Sequence, residues 1–222
     1  MKFAKDSLDS SMSTKPLRAV VLGAGGHAVS VRACLQQFSV VGFAIADPAL
    51  AESQVEGSPD VYHDDWIIEQ DPSSFILINA IGSTAIPDRR RAVFVRFKNA
   101  GFAFATLVHP AAVIEADVQL GEGAQIMAGA VVQAGAVVGP NSLVNTGVTV
   151  DHNSTIAPHC HIAPGATICG SVCIGEATHV GAGSTVIQSV SIGSRCLIAA
   201  GSVVVHDVDD GCRMRGNPAR PF

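Results

Sequence analysis

Three groups of residues in this chain have the types and spacing to do chemistry. The first is built on histidine, whose ring exchanges protons near neutral pH. His152 follows the apolar Val150 by two residues, so it faces outward at a corner wherever Val150 faces inward. Asn153 beside it has an amide that can orient the ring, but no charge to stabilise an imidazolium; Asp151 on the other side has a carboxylate. Gly170 lies eighteen residues further on. It leaves space for the ring and offers a backbone N–H to a developing oxyanion. The second group is the turn Gly23-Ala24-Gly25-Gly26-His27-Ala28, a G-x-G-x-x-A pattern with Asp47 twenty-two residues after Gly25. Such a turn lets backbone approach a phosphate, and the acidic residue suits a ribose hydroxyl. The same pattern also serves as a plain strand-to-helix turn. The third group is a file of small residues, Ala182-Gly183 and Ala200-Gly201, repeated at eighteen residues. Small side chains in file leave a shallow groove with accessible amides, or let two surfaces pack closely.

An eighteen-residue spacing positions these groups only if the chain itself repeats, and it does. Stepping by six from Val108 reaches Ile114, Leu120, Ile126 and so on to Val204, seventeen positions that are all aliphatic, with no insertion. Four residues after most of them the side chain is small, as at Ala124, Ser142, Cys160, Thr178 and Cys196. One large and one small inward residue per six describes short strands joined by corners. Three strands close a triangular coil of eighteen residues, and coils stack at about 4.8 Å. Seventeen hexads predict between five and six coils, a prism roughly 27 Å tall. Glycine columns at Gly121, Gly139, Gly175 and Gly193 and at Gly129, Gly147, Gly165, Gly183 and Gly201 keep the same period. Cys160 and Cys196 fall at core positions and read as small hydrophobes.

The first half has another rhythm. Leu17–Leu22, Val40–Ala46 and Phe75–Ile81 read as strands; a helix runs from the glycine turn to about Gln37, and Arg89–Asn99 reads as another. Gly82 and Ser83 follow the third strand. From Leu17 to the repeat there are barely 90 residues. That is room for one βαβαβ half, which argues for a mononucleotide or nucleotide-linked sugar rather than NAD. The domains expected are a flexible segment 1–16, a Rossmann-like part 17–105, and the prism with its tail, 106–222.

Composition excludes several classes. The chain is 48% hydrophobic with a net charge of -5, so it is not disordered. Lys and Arg total 14, and between Asn99 and Cys212 Arg195 is the only one, which argues against nucleic-acid binding. A surface so poor in charge suits burial against other copies. No apolar run approaches a membrane span, the first fifteen residues lack a signal core, and none of the six cysteines forms a CxxC pair. A cytoplasmic protein with reduced thiols is expected.

The tandem [LIV]-G-x-x-[small]-x units resemble the hexapeptide-repeat acyltransferases. With VVLGAGGHA, VNTGVTVDH, HIAPGA and RGNPAR, the chain resembles more narrowly the bacterial sugar acetyltransferases. That group takes in sialic acid O-acetyltransferase and the N-acetyltransferases of nucleotide-linked amino-sugars. The resemblance implies an α/β Rossmann-like half followed by an all-β left-handed parallel β-helix; the hand comes from the resemblance, since periodicity gives only a triangular solenoid. It implies a homotrimer with sites between neighbouring prisms, and acetyl-CoA as cosubstrate. His152 is then the general base. The family commonly has Glu or Asp where this chain has Asn153, so Asp151 or a neighbouring subunit is left to supply a carboxylate. His161, which opens HIAPGA, matches a histidine that contacts acetyl-CoA or substrate, with His179 stacked on it. Asn145 and Thr146 orient the sugar or satisfy a corner. Ala182, Gly183, Ala200 and Gly201 accommodate pantetheine, and Arg213, Arg215, Pro218 and Arg220 of the tail line the CoA site. Gly23, Gly25, Gly26, His27, Asp47, Gly82 and Ser83 face the nucleotide-sugar. His109 and His159 have no motif support and are expected at the surface.

The expected reaction is acetyl transfer from acetyl-CoA to the amino group of a UDP- or GDP-linked amino-deoxy-sugar, without metal. The alternatives are O-acetylation of sialic acid or another surface sugar, and a non-catalytic scaffold. A zinc carbonic anhydrase on this kind of prism needs an H-x4-H pair, and none of the eight histidines makes one.

Overall fold

The computed structural model describes residues 16–46 and 60–222. Expectations for residues 1–15 and for Asp47 lie outside the described residues. The first part is a parallel sheet in the order β3-β2-β1-β4. Its strands are β1 (Leu17–Leu22), β2 (Phe38–Ile45), β3 (Val61–His63) and β4 (Ile76–Asn79). β1 is central, and Ala19 to Leu22 are buried, as a strand covered on both faces requires. Helix α1 (Gly26–Ser30) and a 3-10 turn (Arg32–Gln37) lie on one face. On the other lie α2 (Asp64–Ile68) and α3 (Asp88–Asn99). The segment read as one helix to Gln37 thus divides at Val31, and β3 and α2 are too short to leave a periodic signal.

Seventeen two-residue strands follow, β5 (Leu107–Val108) to β21 (Val203–Val204), each ending on an aliphatic hexad position. Each pairs in parallel with the strand eighteen residues away, as Leu143 with His161 and His161 with His179. The three faces hold six, six and five of them, and β22 (Arg213–Arg215) and β23 (Arg220–Pro221) extend one to eight strands. This is a left-handed parallel β-helix. From Ile126 to Val204 the hexad residues are no more than 2% exposed. The first coil is the exception, with Val108 37% exposed and Ile114 and Leu120 only partly buried, because no coil lies beneath it.

The small inward residues do more than leave space. Ser142 Oγ donates to the Ala157 carbonyl at 2.7 Å and accepts the Cys160 N–H at 3.0 Å. Ser154, Thr178 and Ser184 repeat this link one coil upward. The two glycine columns have different causes. A Cβ on Gly139 would sit 2.6 Å from the Pro158 nitrogen, a close backbone approach, whereas Gly183 has φ +64 and open space around it.

Leu107, Met127 and Leu143, on the eight-stranded face, pack with Val21, Ala28 and Ile78 of the first part in one shared core. Helix α3 runs along a prism corner. Lys98 pairs with Glu122 at 2.9 Å, Arg91 with Glu176 at 3.1 Å, and Asp88 with Arg195 at 3.0 Å. The one basic residue in the charge-poor stretch therefore meets this helix. Each pair is half exposed and worth little alone; the shared apolar core does most to fix the two parts together.

Candidate active site

A cavity of about 750 Å³ opens where the first part meets the eight-stranded face. The glycine turn, Gly82-Ser83, Asn145 and His161 line it. The glycines have separate duties. Gly23 has φ +97 and abuts Ile81, so the turn itself requires it. A Cβ on Gly25 or Gly26 would meet nothing within 4 Å, so their missing side chains serve the cavity rather than the fold. Neither N–H has an acceptor among the described residues.

His27 Nε2 bonds Gln125 Oε1 at 2.8 Å. Burial, then the nearby Arg90 charge, lower its pKa to about 4. His161 Nδ1 bonds Ser83 Oγ at 2.7 Å and its Nε2 bonds Asn145 Nδ2 at 3.1 Å. Burial, helped by His179, Arg90 and His27, lowers its pKa to about 3. Both rings are neutral at pH 7. His179 stacks edge-to-face on His161 at 4.9 Å, and its buried Nδ1 has no partner among the described residues. The structure thus sets His161 among the groups expected at the nucleotide-sugar. Ala182, Gly183, Ala200 and Gly201 lie along the adjoining exposed corner. Thr146 continues that corner, its N–H held by Asn145 Oδ1 at 2.8 Å.

His159 corrects an expectation. It is 9% exposed, its Nδ1 bonded by Asn141 Nδ2 at 2.9 Å, because α3 covers its corner and Phe94 lies edge-on to the ring. It belongs to a buried network that sequence reasoning missed. Fully buried Arg90 gives its guanidinium to the carbonyls of Asn79, Ile81 and Asn141; Asn79 bonds Asn141, and Gln125 bonds the Asn79 carbonyl. Burial lowers the Arg90 pKa to about 9. The links that join the first part to the prism span 46 to 62 residues, so no local spacing announces them.

His152 stands elsewhere. It is exposed at the corner between the six- and five-stranded faces, away from the cavity face. Its ring lies over Gly170: a Cβ there would be 2.6 Å from Nε2 and 2.7 Å from Cε1. The two are vertical neighbours, and the imidazole is outside the core. Asn153 Nδ2 lies 3.2 Å from Nδ1. Asn153 has φ 57, a conformation that asparagine tolerates better than most residues. Asp151 does not reach the ring; its Oδ1 takes the His152 backbone N–H at 2.7 Å. The Gly170 N–H has no acceptor among the described residues, and the same is true of Ala182 and Gln188 on equivalent turns. Arg213 and Arg215 flank the Phe222 ring at 5.0 and 4.8 Å, with Arg220 and Pro218 exposed beside them.

Among the described residues no group of three or more His, Cys, Asp or Glu is placed to hold a metal, and no helix is long and apolar enough to cross a membrane. All six cysteines are free, and burial pushes the Cys160 thiol up to about 12.

No family model matches the chain, and no curated protein is significantly similar to it. Solved structures are. The acetyltransferase domain of PglB from Neisseria gonorrhoeae, in complex with acetyl coenzyme A, is 33% identical with a TM-score of 0.85, over 93% of this chain and 99% of that one. PerB from Caulobacter crescentus, in complex with CoA and GDP-perosamine, is 34% identical with a TM-score of 0.82, over 92% and 96%. WeeI from Acinetobacter baumannii, at 24% identity and a TM-score of 0.80 over 92% and 99%, shares the fold. With a third of its residues identical to the first two along nearly its whole length, the chain belongs to the hexapeptide-repeat sugar acetyltransferases. It is therefore an acyltransferase.

Proposed function

We propose that the protein transfers the acetyl group of acetyl-CoA to the amino group of a nucleotide-linked amino-deoxy-sugar, in a homotrimer. Residues 17–105 bind the nucleotide-sugar, and residues 106–222 carry out the transfer. His152 Nε2 takes a proton from the amine as its nitrogen attacks the thioester carbonyl. The Gly170 N–H donates to the oxygen as it becomes an oxyanion. The tetrahedral intermediate collapses, the C–S bond breaks, and His152 returns the proton to the CoA sulfur. For this, Nδ1 must carry the other proton and donate it to Asn153 Oδ1, the flipped orientation of an amide whose two ends are nearly alike in shape. Asn153 orients the ring without stabilising its cation, a milder arrangement than a carboxylate.

Gly25 and Gly26, with Asp47, hold the diphosphate and ribose, and Gly82, Ser83 and His27 face the sugar. The pantetheine arm lies along Ala182, Gly183, Ala200 and Gly201, with Arg215 and Pro218 toward the nucleotide end of CoA. Two findings on neighbours support this choice of substrates: PglB's domain holds acetyl coenzyme A, and PerB holds CoA with GDP-perosamine. The observation that carries the reading is the exposed His152 ring lying over Gly170. Placement supports an assembly of copies. The cavity opens on the eight-stranded face and His152 stands at the corner opposite, so one chain cannot bring both to one substrate. A neighbouring copy about a three-fold axis can.

The test is a screen of UDP- and GDP-linked amino-sugars with acetyl-CoA, scored by thiol release. Turnover with one of them, abolished by His152→Ala while acetyl-CoA still binds, is the expected result. Undiminished turnover in His152→Ala removes the base assignment, and no turnover with any acceptor overturns the reading.

A further inference from the structure

Two side chains of the prism, Gln125 and Asn145, have both ends of their amides committed. Gln125 is fully buried. Its Nε2 donates to the Asn79 carbonyl at 2.9 Å, which only the NH2 end can do, so Oε1 must face His27. His27 Nε2, 2.8 Å away, therefore carries the ring proton, and Nδ1 is a bare lone pair. Nothing among the described residues donates to it. Asn145 fixes the second ring in the opposite sense. Its Oδ1 accepts the Thr146 N–H at 2.8 Å, so Nδ2 faces His161 Nε2 and makes it an acceptor. The proton of His161 then sits on Nδ1 and is donated to Ser83 Oγ at 2.7 Å. With that oxygen accepting, the Ser83 hydroxyl proton has no acceptor among the described residues and is free for the cavity that Ser83 lines. Gly82, next to Ser83, packs against the His27 side chain: a Cβ on it would be 3.2 Å from His27 Cβ.

We propose that Gln125 and Asn145 are positioning residues that set the hydrogen-bonding polarity of the cavity, presenting His27 Nδ1 as an acceptor beside Ser83 Oγ as a donor, the pair that a sugar hydroxyl satisfies. The proposal rests on the nucleotide-sugar reading above. A hydroxyl donates and accepts at once. A phosphate oxygen would set lone pair against lone pair at Nδ1, and an ammonium has nothing for Ser83 to donate to. The diphosphate therefore belongs at the glycine turn, and a hydroxyl of the sugar belongs here. Burial of both rings, with the Arg90 charge adding to it, opposes a second proton on either and keeps this polarity through the neutral range.

The test uses the full chain labelled with nitrogen-15. Long-range ring spectra at pH 7 should show His27 protonated at Nε2 and His161 at Nδ1, both neutral. Gln125→Met should release the His27 tautomer and raise KM for GDP-perosamine about tenfold, the scale of one lost hydrogen bond, leaving KM for acetyl-CoA unchanged. Gln125→Glu keeps an acceptor for Nε2–H but favours the imidazolium. Its KM for the sugar should recover at pH 8 and worsen at pH 6, where Nδ1 turns donor; a purely structural role would give no such dependence. Wild-type His27 protonated at Nδ1, or an unchanged sugar KM in a Gln125→Met protein whose tautomer has been lost, overturns the proposal. If no amino-sugar is acetylated, the function reading falls, and the tautomers alone decide this one.

Discussion

Replacing Gly170 with alanine isolates the geometry on which the chemistry depends. The added Cβ would lie 2.6 Å from His152 Nε2, 2.7 Å from Cε1 and 3.2 Å from Cδ2. Ordinary contact begins near 3.4 Å, so the ring must retreat by about 0.8 Å. The three nearest atoms all belong to an exposed side chain, and Gly170 does not have positive φ. The fold therefore has nothing to resist, and Tm should stay within a degree or two of wild type. The base, however, is displaced by nearly an ångström, and a shift of that size costs on the order of 100-fold in rate. Steady-state thiol release should show the loss in kcat, with KM for either substrate changed only a few-fold. Gly139→Ala is the control: its Cβ meets the Pro158 backbone nitrogen at 2.6 Å, so it should lower Tm and leave the kcat of the folded fraction alone. A Gly170→Ala protein with kcat within threefold of wild type would refute the placement of the reacting atoms beside that ring.

Two further predictions concern stability. His27 and His161 have folded-state pKa values of about 4 and about 3, below the 6.5 or so expected when unfolded. The unfolded chain binds more protons below that value, so their contribution is complete above about pH 6.5 and is lost as pH falls toward 4 and 3. Urea unfolding at pH 5 against pH 7.5 should show a loss on the order of 1–2 kcal/mol per histidine, reduced in His161→Gln. Ser154→Ala removes the hydroxyl that bridges the Cys169 carbonyl and the Val172 N–H. It should cost roughly 1 kcal/mol by urea midpoint, since coils with alanine at this position close without the bridge.

The prism was legible because its physics is local and periodic. One aliphatic residue per six marks the interior, and eighteen-residue pairing fixes what stacks on what, which is why His152 over Gly170 and His161 beside His179 follow from counting. The exceptions are where the period meets something else. Val108 is exposed because a stack has an end, and His159 is buried because α3 lies on its corner. The Arg90, Asn79, Asn141 and Gln125 network was illegible, since single polar residues far apart in sequence have no period and meet only when the two parts dock. Counting put His152 over Gly170 but gave no sign that it and the cavity lie on opposite sides of the prism.

That separation makes mixing of variants the most direct measurement. His152→Ala leaves a chain with an intact cavity and no base. Gly26→Leu leaves the base and fills the space before the glycine turn, where nothing of the chain itself lies within 4 Å. Each alone should be nearly inactive. Co-expressed in equal amounts, half the cavities are intact and half of their neighbours carry the histidine, so about a quarter of wild-type activity should return. Mixed trimers as silent as the separate variants would mean that cavity and base serve the same chain, and that the site between copies does not exist.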